Sequence, residues 1–151
     1  MALKNNAELT AAERVALARM PQRPGVEEYV DALFENVFEQ RGDRTASDDQ
    51  AIMCAIATFH GRPVTVVGHR KGSTIEQRMA FNFGMPSPEG YRKAQRSMRA
   101  AEKFGRPIIT FVDTPGAYPG LEAEEHGQGE AIARSIELMS ALKVPVICVI
   151  C

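Results

Sequence analysis

Apolar positions along this chain switch between a helical and an extended period, and the switches divide it into alternating helices and strands. Thr10-Ala11-Ala12-Glu13 has capping-box spacing, so a short helix opens there and stops before Pro21 and Pro24. Val26, Tyr29, Val30, Leu33, Phe34 and Val37 recur at i, i+3, i+4 and i+7, which predicts a second helix to about Glu39, ended by Arg41-Gly42-Asp43. Ala51 to Phe59 and Val64 to His69 are apolar or β-branched on both faces, the pattern of strands covered on both sides. Their short connection, His60-Gly61-Arg62-Pro63, predicts a hairpin. Gly72 to Glu89 is rich in glycine, proline and serine and reads as irregular, with a short helix near Thr74 to Ala80.

A third helix fits Pro88 to Phe104, with proline in its first turn and Gly105 as terminator. Beyond it lie a strand from Pro107 to Val112, a glycine- and proline-rich loop, a helix from Glu122 or Ala123 to Leu142, and a strand from Val144 to Cys151. Strand, long helical connection and strand predict a parallel pair with a right-handed crossover, so the fold class is α/β.

The most informative loop is Asp113-Thr-Pro-Gly-Ala-Tyr-Pro-Gly120, directly after an apolar strand. Pro115 and Pro119 fix φ, while Gly116 and Gly120 allow positive φ and close approach of a ligand to the backbone. Loops at the carboxyl ends of strands are where α/β proteins place chemistry. His69-Arg70-Lys71-Gly72 closes the second β run in a similar position, and a cation there could neutralise a carboxylate or phosphate.

Composition narrows the field. With 151 residues, 44% hydrophobic and 25% charged, the chain suits one core or part of one. A net charge of -1 gives no global attraction to nucleic acid or an anionic membrane. No apolar run approaches the roughly 20 residues that span a bilayer, and Met1 to Asn6 contain no signal core, so a cytoplasmic location is expected. Cys54, Cys148 and Cys151 lie in apolar runs and read as buried reduced thiols. Cys148 and Cys151 have redox-pair spacing but fall on opposite faces of a strand. His60, His69 and His126 are scattered, so no metal site is expected.

Asp113-Thr-Pro-Gly116 matches one element of nucleotide hydrolases, without the phosphate-cradling glycine loop upstream. No Gly-x-Ser-x-Gly elbow is present. Arg92, Arg96, Arg99 and Lys103 stack on one helix face, either as a solvated face or as a site for a phosphorylated cofactor tail or an acidic partner. Glu122, Glu124 and Glu125 complement the macrodipole at a helix start.

Four ordered stretches carry a resemblance: Gly68 to Gly72, Asn82 to Ala94, Asp113 to Gly120, and Gly127-Gln-Gly-Glu-Ala-Ile-Ala133. Together they resemble the carboxyltransferase alpha subunit of bacterial acetyl-CoA carboxylase, over nearly the whole chain from about Arg14. Position 129 is glycine where relatives are expected to carry serine. The resemblance implies a crotonase-like ββα superhelix of the ClpP/crotonase type, incomplete here, with residues 1–24 as a helical segment and 25–151 as the N-terminal part of a CoA carboxyltransferase domain. It implies a further glycine-rich turn and more core beyond Cys151.

The implied reaction moves the carboxyl group of carboxybiotin, held on a biotin carboxyl carrier protein, to the methyl carbon of acetyl-CoA, giving malonyl-CoA for fatty acid biosynthesis. Charge developing on the thioester oxygen and the biotin ureido oxygen calls for preorganised N–H donors. In the family, the alpha subunit supplies the biotin side from the turn beyond Cys151, and a beta subunit supplies the thioester side. Within this chain the resemblance assigns no catalytic residue. It implies that Gly116, Ala117, Tyr118 and Gly120 wall the biotin pocket, with Arg70 and Lys71 as anion contacts, in a hetero-oligomer with the beta subunit. By this reading the 151-residue chain is inactive alone. The alternatives are a non-catalytic assembly or binding module, or a related crotonase-fold acyl-CoA decarboxylase or hydratase.

Overall fold

The computed structural model describes residues 9–20 and 22–151. The first six residues and Pro21, on which the leader and helix-stop expectations rest, lie outside them. The capping box forms: Thr10 accepts the Glu13 N–H, Glu13 accepts the Thr10 N–H, and α1 runs Ala11–Ala18. After it come α2 (Val26–Leu33), β1 (Glu35–Glu39), β2 (Ile52–Phe59), β3 (Arg62–His69), α3 (Ile75–Ala80) and α4 (Pro88–Lys103). β4 (Ile108–Val112), α5 (Leu121–Glu125), α6 (Gln128–Ala141) and β5 (Val146–Ile150) complete the order.

Five strands form one sheet in the order β1-β2-β3-β4-β5. The first three are antiparallel and the last three parallel. β2 and β3 pair in full register from Ile52 with His69 to Phe59 with Arg62. The turn is only two residues, His60 and Gly61, with φ of 47° and 76°, the double positive φ that matches the twist of a tight hairpin.

Alternation along each strand builds two cores. Met53, Ala55, Ala57, Val64, Val66, Ile109 and Phe111 face α2, where Val26, Val30 and Phe34 cover them. Ile52, Cys54, Val67 and Ile108 face α4 through Ala94, Met98 and Ala101, with Leu138 and Leu142 from the end of α6 beside them. The result is helix, sheet, helix. Gly68 permits the first contact: a Cβ there would fall on a Val26 methyl, so α2 rests directly on the β3 backbone.

Two expected helices are interrupted. The second stops at Leu33, because Phe34 turns extended (φ -124°, ψ 150°) and Glu35–Glu39 pairs with the otherwise open edge of β2. Phe34 still reaches the α2 core, so the apolar stripe continues across the change, and Phe38 is left 67% exposed. The long helix after β4 breaks at Gly127, in the left-handed region at φ 82°, which separates α5 from α6.

α4 is anchored to the residues ahead of β2. Lys93 is fully buried, its Nζ donating to Asp48 Oδ1 and to the Asp49 carbonyl, both at 2.6 Å. Asp49 accepts the Ala51 and Ser87 N–H groups at 2.8 and 2.7 Å. In the basic stripe, Arg92 contacts Asp43 and Glu89, and Arg96 donates to the Arg41 and Gly42 carbonyls. Half of the stripe therefore holds the 41–43 loop, while Arg99 and Lys103 face solvent. The burial expected of all three cysteines holds for Cys54 alone. Cys151 is half-buried and Cys148 exposed, because β5 is the outer strand.

Candidate functional site

Parallel pairing of β3 and β4 places their carboxyl ends side by side, so His69 to Gly72 meets Asp113 to Gly120. The Lys71 ammonium contacts the Asp113 carboxylate directly. Arg70 donates through Nε to Glu27 Oε1 and through Nη1 to Glu39 Oε1, each at 2.8 Å. Burial pushes the Arg70 pKa down, but its hydrogen bond and charge pairing with Glu39, and then Glu27, prevail and raise it. Both cations singled out in the sequence are thus paired within the chain, with Arg70 tying β3 to α2 and β1.

The loop after β4 is held by specific bonds. The Thr114 hydroxyl donates to the Gly84 carbonyl at 2.6 Å and accepts the Gly116 N–H at 3.0 Å. Gly116 has φ 151°, and no heavy atom lies within 4 Å of where its Cβ would stand. At Gly120 a Cβ would collide with the Tyr118 ring, so this glycine lets the ring fold back over the chain. The Tyr118 N–H donates to the Pro86 carbonyl at 3.0 Å. Among the described residues the Ala117 N–H has no partner, so one donor stands free beside the open Gly116 position.

Gln128, at the start of α6 and 4% exposed, locks this arrangement. Its Nε2 donates to the Pro86 and Tyr118 carbonyls at 3.0 and 2.9 Å. Sequence reasoning missed it as a site residue. The available signal was a glutamine in a Gly-Gln-Gly run at the helix start, where a small neighbourhood lets an amide approach two carbonyls.

Beside Tyr118 lies a cavity of about 210 Å³, bordered also by Asn82, Ser87, Glu89 and His126. Glu89 is buried and receives His126 Nδ1 at 2.9 Å and Arg92 Nη2 at 3.0 Å. His69 stands below the loop with Nδ1 3.4 Å from the Phe111 carbonyl, and burial lowers its pKa toward the neutral form. Among the described residues, no group of three or more His, Cys, Asp or Glu is placed to hold a metal ion. No described helix is long and apolar enough to cross a membrane.

Several carboxylates have lowered pKa values. Burial alone would raise Asp43 and Asp48, but backbone N–H bonds from Thr45 and Ala46, and the Lys93 hydrogen bond respectively, outweigh it. Glu89 follows the same logic, its hydrogen bonds prevailing over burial. A folded pKa below the unfolded one adds stability above the unfolded value, and that stability is lost as pH falls through the folded value. Urea midpoints should therefore drop as pH falls below about 4, the unfolded range of Asp and Glu. Asp48→Asn should flatten that slope; a slope unchanged in the variant would remove Asp48 from the account.

A mixed sheet with helices on both faces, carrying a glycine loop at the carboxyl ends of its parallel strands, makes a crotonase-like layer. A 12S transcarboxylase structure superposes at TM-score 0.71 with 21% identity, over 87% of this chain and 24% of that one. A single-chain long-chain acyl-CoA carboxylase follows at 0.70 with 24% identity, over 87% of this chain and 13% of that one. The profile of the acetyl co-enzyme A carboxylase carboxyltransferase-like family matches residues 2–151, and the chain belongs to that family.

Among curated relatives, the acetyl-coenzyme A carboxylase carboxyl transferase subunit alpha of Anoxybacillus flavithermus is 56% identical over 144 residues, covering 95% of this chain and 44% of that protein. The Bacillus subtilis subunit is 54% identical over 138 residues, covering 91% of this chain and 42% of that protein. The chain spans a little under half the length of these relatives.

Proposed function

We propose that this chain provides the biotin-side layer of an acetyl-CoA carboxylase carboxyltransferase, as an alpha-type polypeptide working with a beta subunit and a biotin carboxyl carrier protein in the cytoplasm. The reading keeps residues 25–151 as carboxyltransferase core, preceded by a segment whose described helix is Ala11–Ala18. The observation that supports it most is the Asp113 to Gly120 loop, in a chain that matches the family from residue 2 to residue 151.

Biotin, when bound as carboxybiotin, supplies the carboxyl group that acetyl-CoA receives at its methyl carbon. The chain's own part is to present backbone. Gly116 leaves room at the wall of the pocket, and the free Ala117 N–H offers a donor to a ureido or carboxyl oxygen. Tyr118 and Gly120 form the far side, with the ring packed back over the glycine. Thr114 and Gln128 fix the loop before any ligand arrives, which avoids reorganisation during reaction. Lys71, balanced by Asp113, adds an ion pair at the mouth, and Arg70 positions the β3 end through Glu27 and Glu39.

The test is a chimera in which this chain replaces the matching segment of the Bacillus subtilis subunit, assayed with that organism's beta subunit, a carboxybiotin donor and acetyl-CoA. Malonyl-CoA formation above background is expected. A chimera that melts cooperatively and binds the beta subunit but forms no malonyl-CoA would favour the assembly-module reading. Water addition to an enoyl-CoA, or carboxyl loss from malonyl-CoA without biotin, would favour the hydratase or decarboxylase alternative.

A further inference from the structure

A second cavity, of about 650 Å³, opens between the end of α1, the start of α2 and the loop joining β3 to α3. Its border carries four cations, Arg19, Arg23, Lys71 and Arg78, and three carboxylates, Glu27, Glu28 and Asp113. The two sets cancel only in part inside the cleft. Asp113 is taken by Lys71, Glu27 by Arg70, and Glu28 caps the Gly25 N–H at 2.9 Å.

The three arginines remain uncommitted. Arg19 and Arg23 have no side-chain hydrogen bond or ion pair to any described residue, and Arg78 uses only Nε, donating to the Gly72 carbonyl at 3.3 Å. Three guanidinium groups, two from the connection between α1 and α2 and one from α3, thus border one cleft whose carboxylates are already engaged. Phe83, 54% exposed, and Phe81 form an apolar wall beside them.

We propose that this cleft binds a phosphorylated ligand through Arg19, Arg23 and Arg78, with Phe83 against its organic portion. A guanidinium presents paired donors in a plane, which matches two phosphate oxygens better than an ammonium does. The Arg78 guanidinium edge opposite Nε is unused for this role, and Gly72, at φ 76° and packed against the Gln77 and Arg78 backbone, fixes where α3 starts. The phosphate can arrive free or as part of a nucleotide. This inference rests on the cleft's own charges, independently of the carboxyl-transfer reading.

Titration calorimetry on the 151-residue chain with ADP, adenosine and inorganic phosphate tests it. ADP should bind, more weakly as salt rises, and adenosine should not compete. Arg23→Gln with Arg78→Gln should weaken ADP at least about tenfold, and the lysine pair should lie between, having charge without the fork. Arg134→Gln, in the middle of α6 and outside the border of the cleft, should leave ADP binding unchanged. Inorganic phosphate competing as well as ADP would support the site with free phosphate as its source; ADP competing far better would support a nucleotide. Undetectable ADP and phosphate binding by a cooperatively melting chain would overturn the proposal. So would equal binding by the glutamine double variant, or adenosine binding as tightly as ADP. None of these outcomes bears on malonyl-CoA formation by the chimera, so the two readings fail separately.

Discussion

Gly116→Val in the chimera is expected to lower malonyl-CoA formation by at least about 10²-fold, the scale of losing one preorganised donor at a developing oxyanion. Gly116 sits at φ 151°, where a β-branched residue is strained, so the chain must rotate there and carry the adjacent Ala117 N–H out of position. The fold itself should survive. No atom stands within 4 Å of the new Cβ, and the local strain costs on the order of 1–3 kcal/mol. The informative measurement is kcat and KM together with the thermal midpoint. Activity equal to the parent would reduce the loop to a structural turn, whereas lost activity with a collapsed melt would assign the effect to folding.

Lys93→Ala is expected to have the largest effect on stability, about 3 kcal/mol or more, because it breaks a buried charge pair by removing one partner. The Asp49 carbonyl loses its Nζ donor, the Asp48 carboxylate loses its cation, and a cavity opens beneath α4. Against a total of about 5–15 kcal/mol, that loss would leave the domain marginal. Lys93→Met keeps most of the volume without the charge, and should recover part of the loss through packing. Urea unfolding of the two variants separates these contributions. If alanine costs under about 1 kcal/mol, the 48–49 turn is held by Ser87 and Ala51 alone.

Stability and site meet at α4. The Lys93 contacts fix the turn before β2, Glu89 in the same helix receives His126, and Ser87 before it bonds to Asp49. Pro86 then accepts both the Tyr118 N–H and the Gln128 amide. The proposed biotin wall therefore leans on a segment whose own position depends on one buried lysine.

What the sequence by itself determined is local chemistry and ordered motif. Thr10 and Glu13 cap a helix, a glycine at 61 turns a hairpin, Pro88 and Gly105 bracket α4, and the Asp113 to Gly120 loop falls at a strand end. Each of these depends on neighbours within a few residues, and the ordered motifs carried the family. Tertiary structure decided the rest. Glu35–Glu39 left its helical period because the β2 edge offered hydrogen bonds that no local pattern contains. Lys93 is buried because Asp48, 45 residues away in sequence, meets it across the fold. Arg70 is paired by Glu27 and Glu39, 43 and 31 residues distant, and Gln128 reaches Pro86 across 42. Periodicity reports which face a residue occupies; the partner a polar group finds there is set by the assembled core.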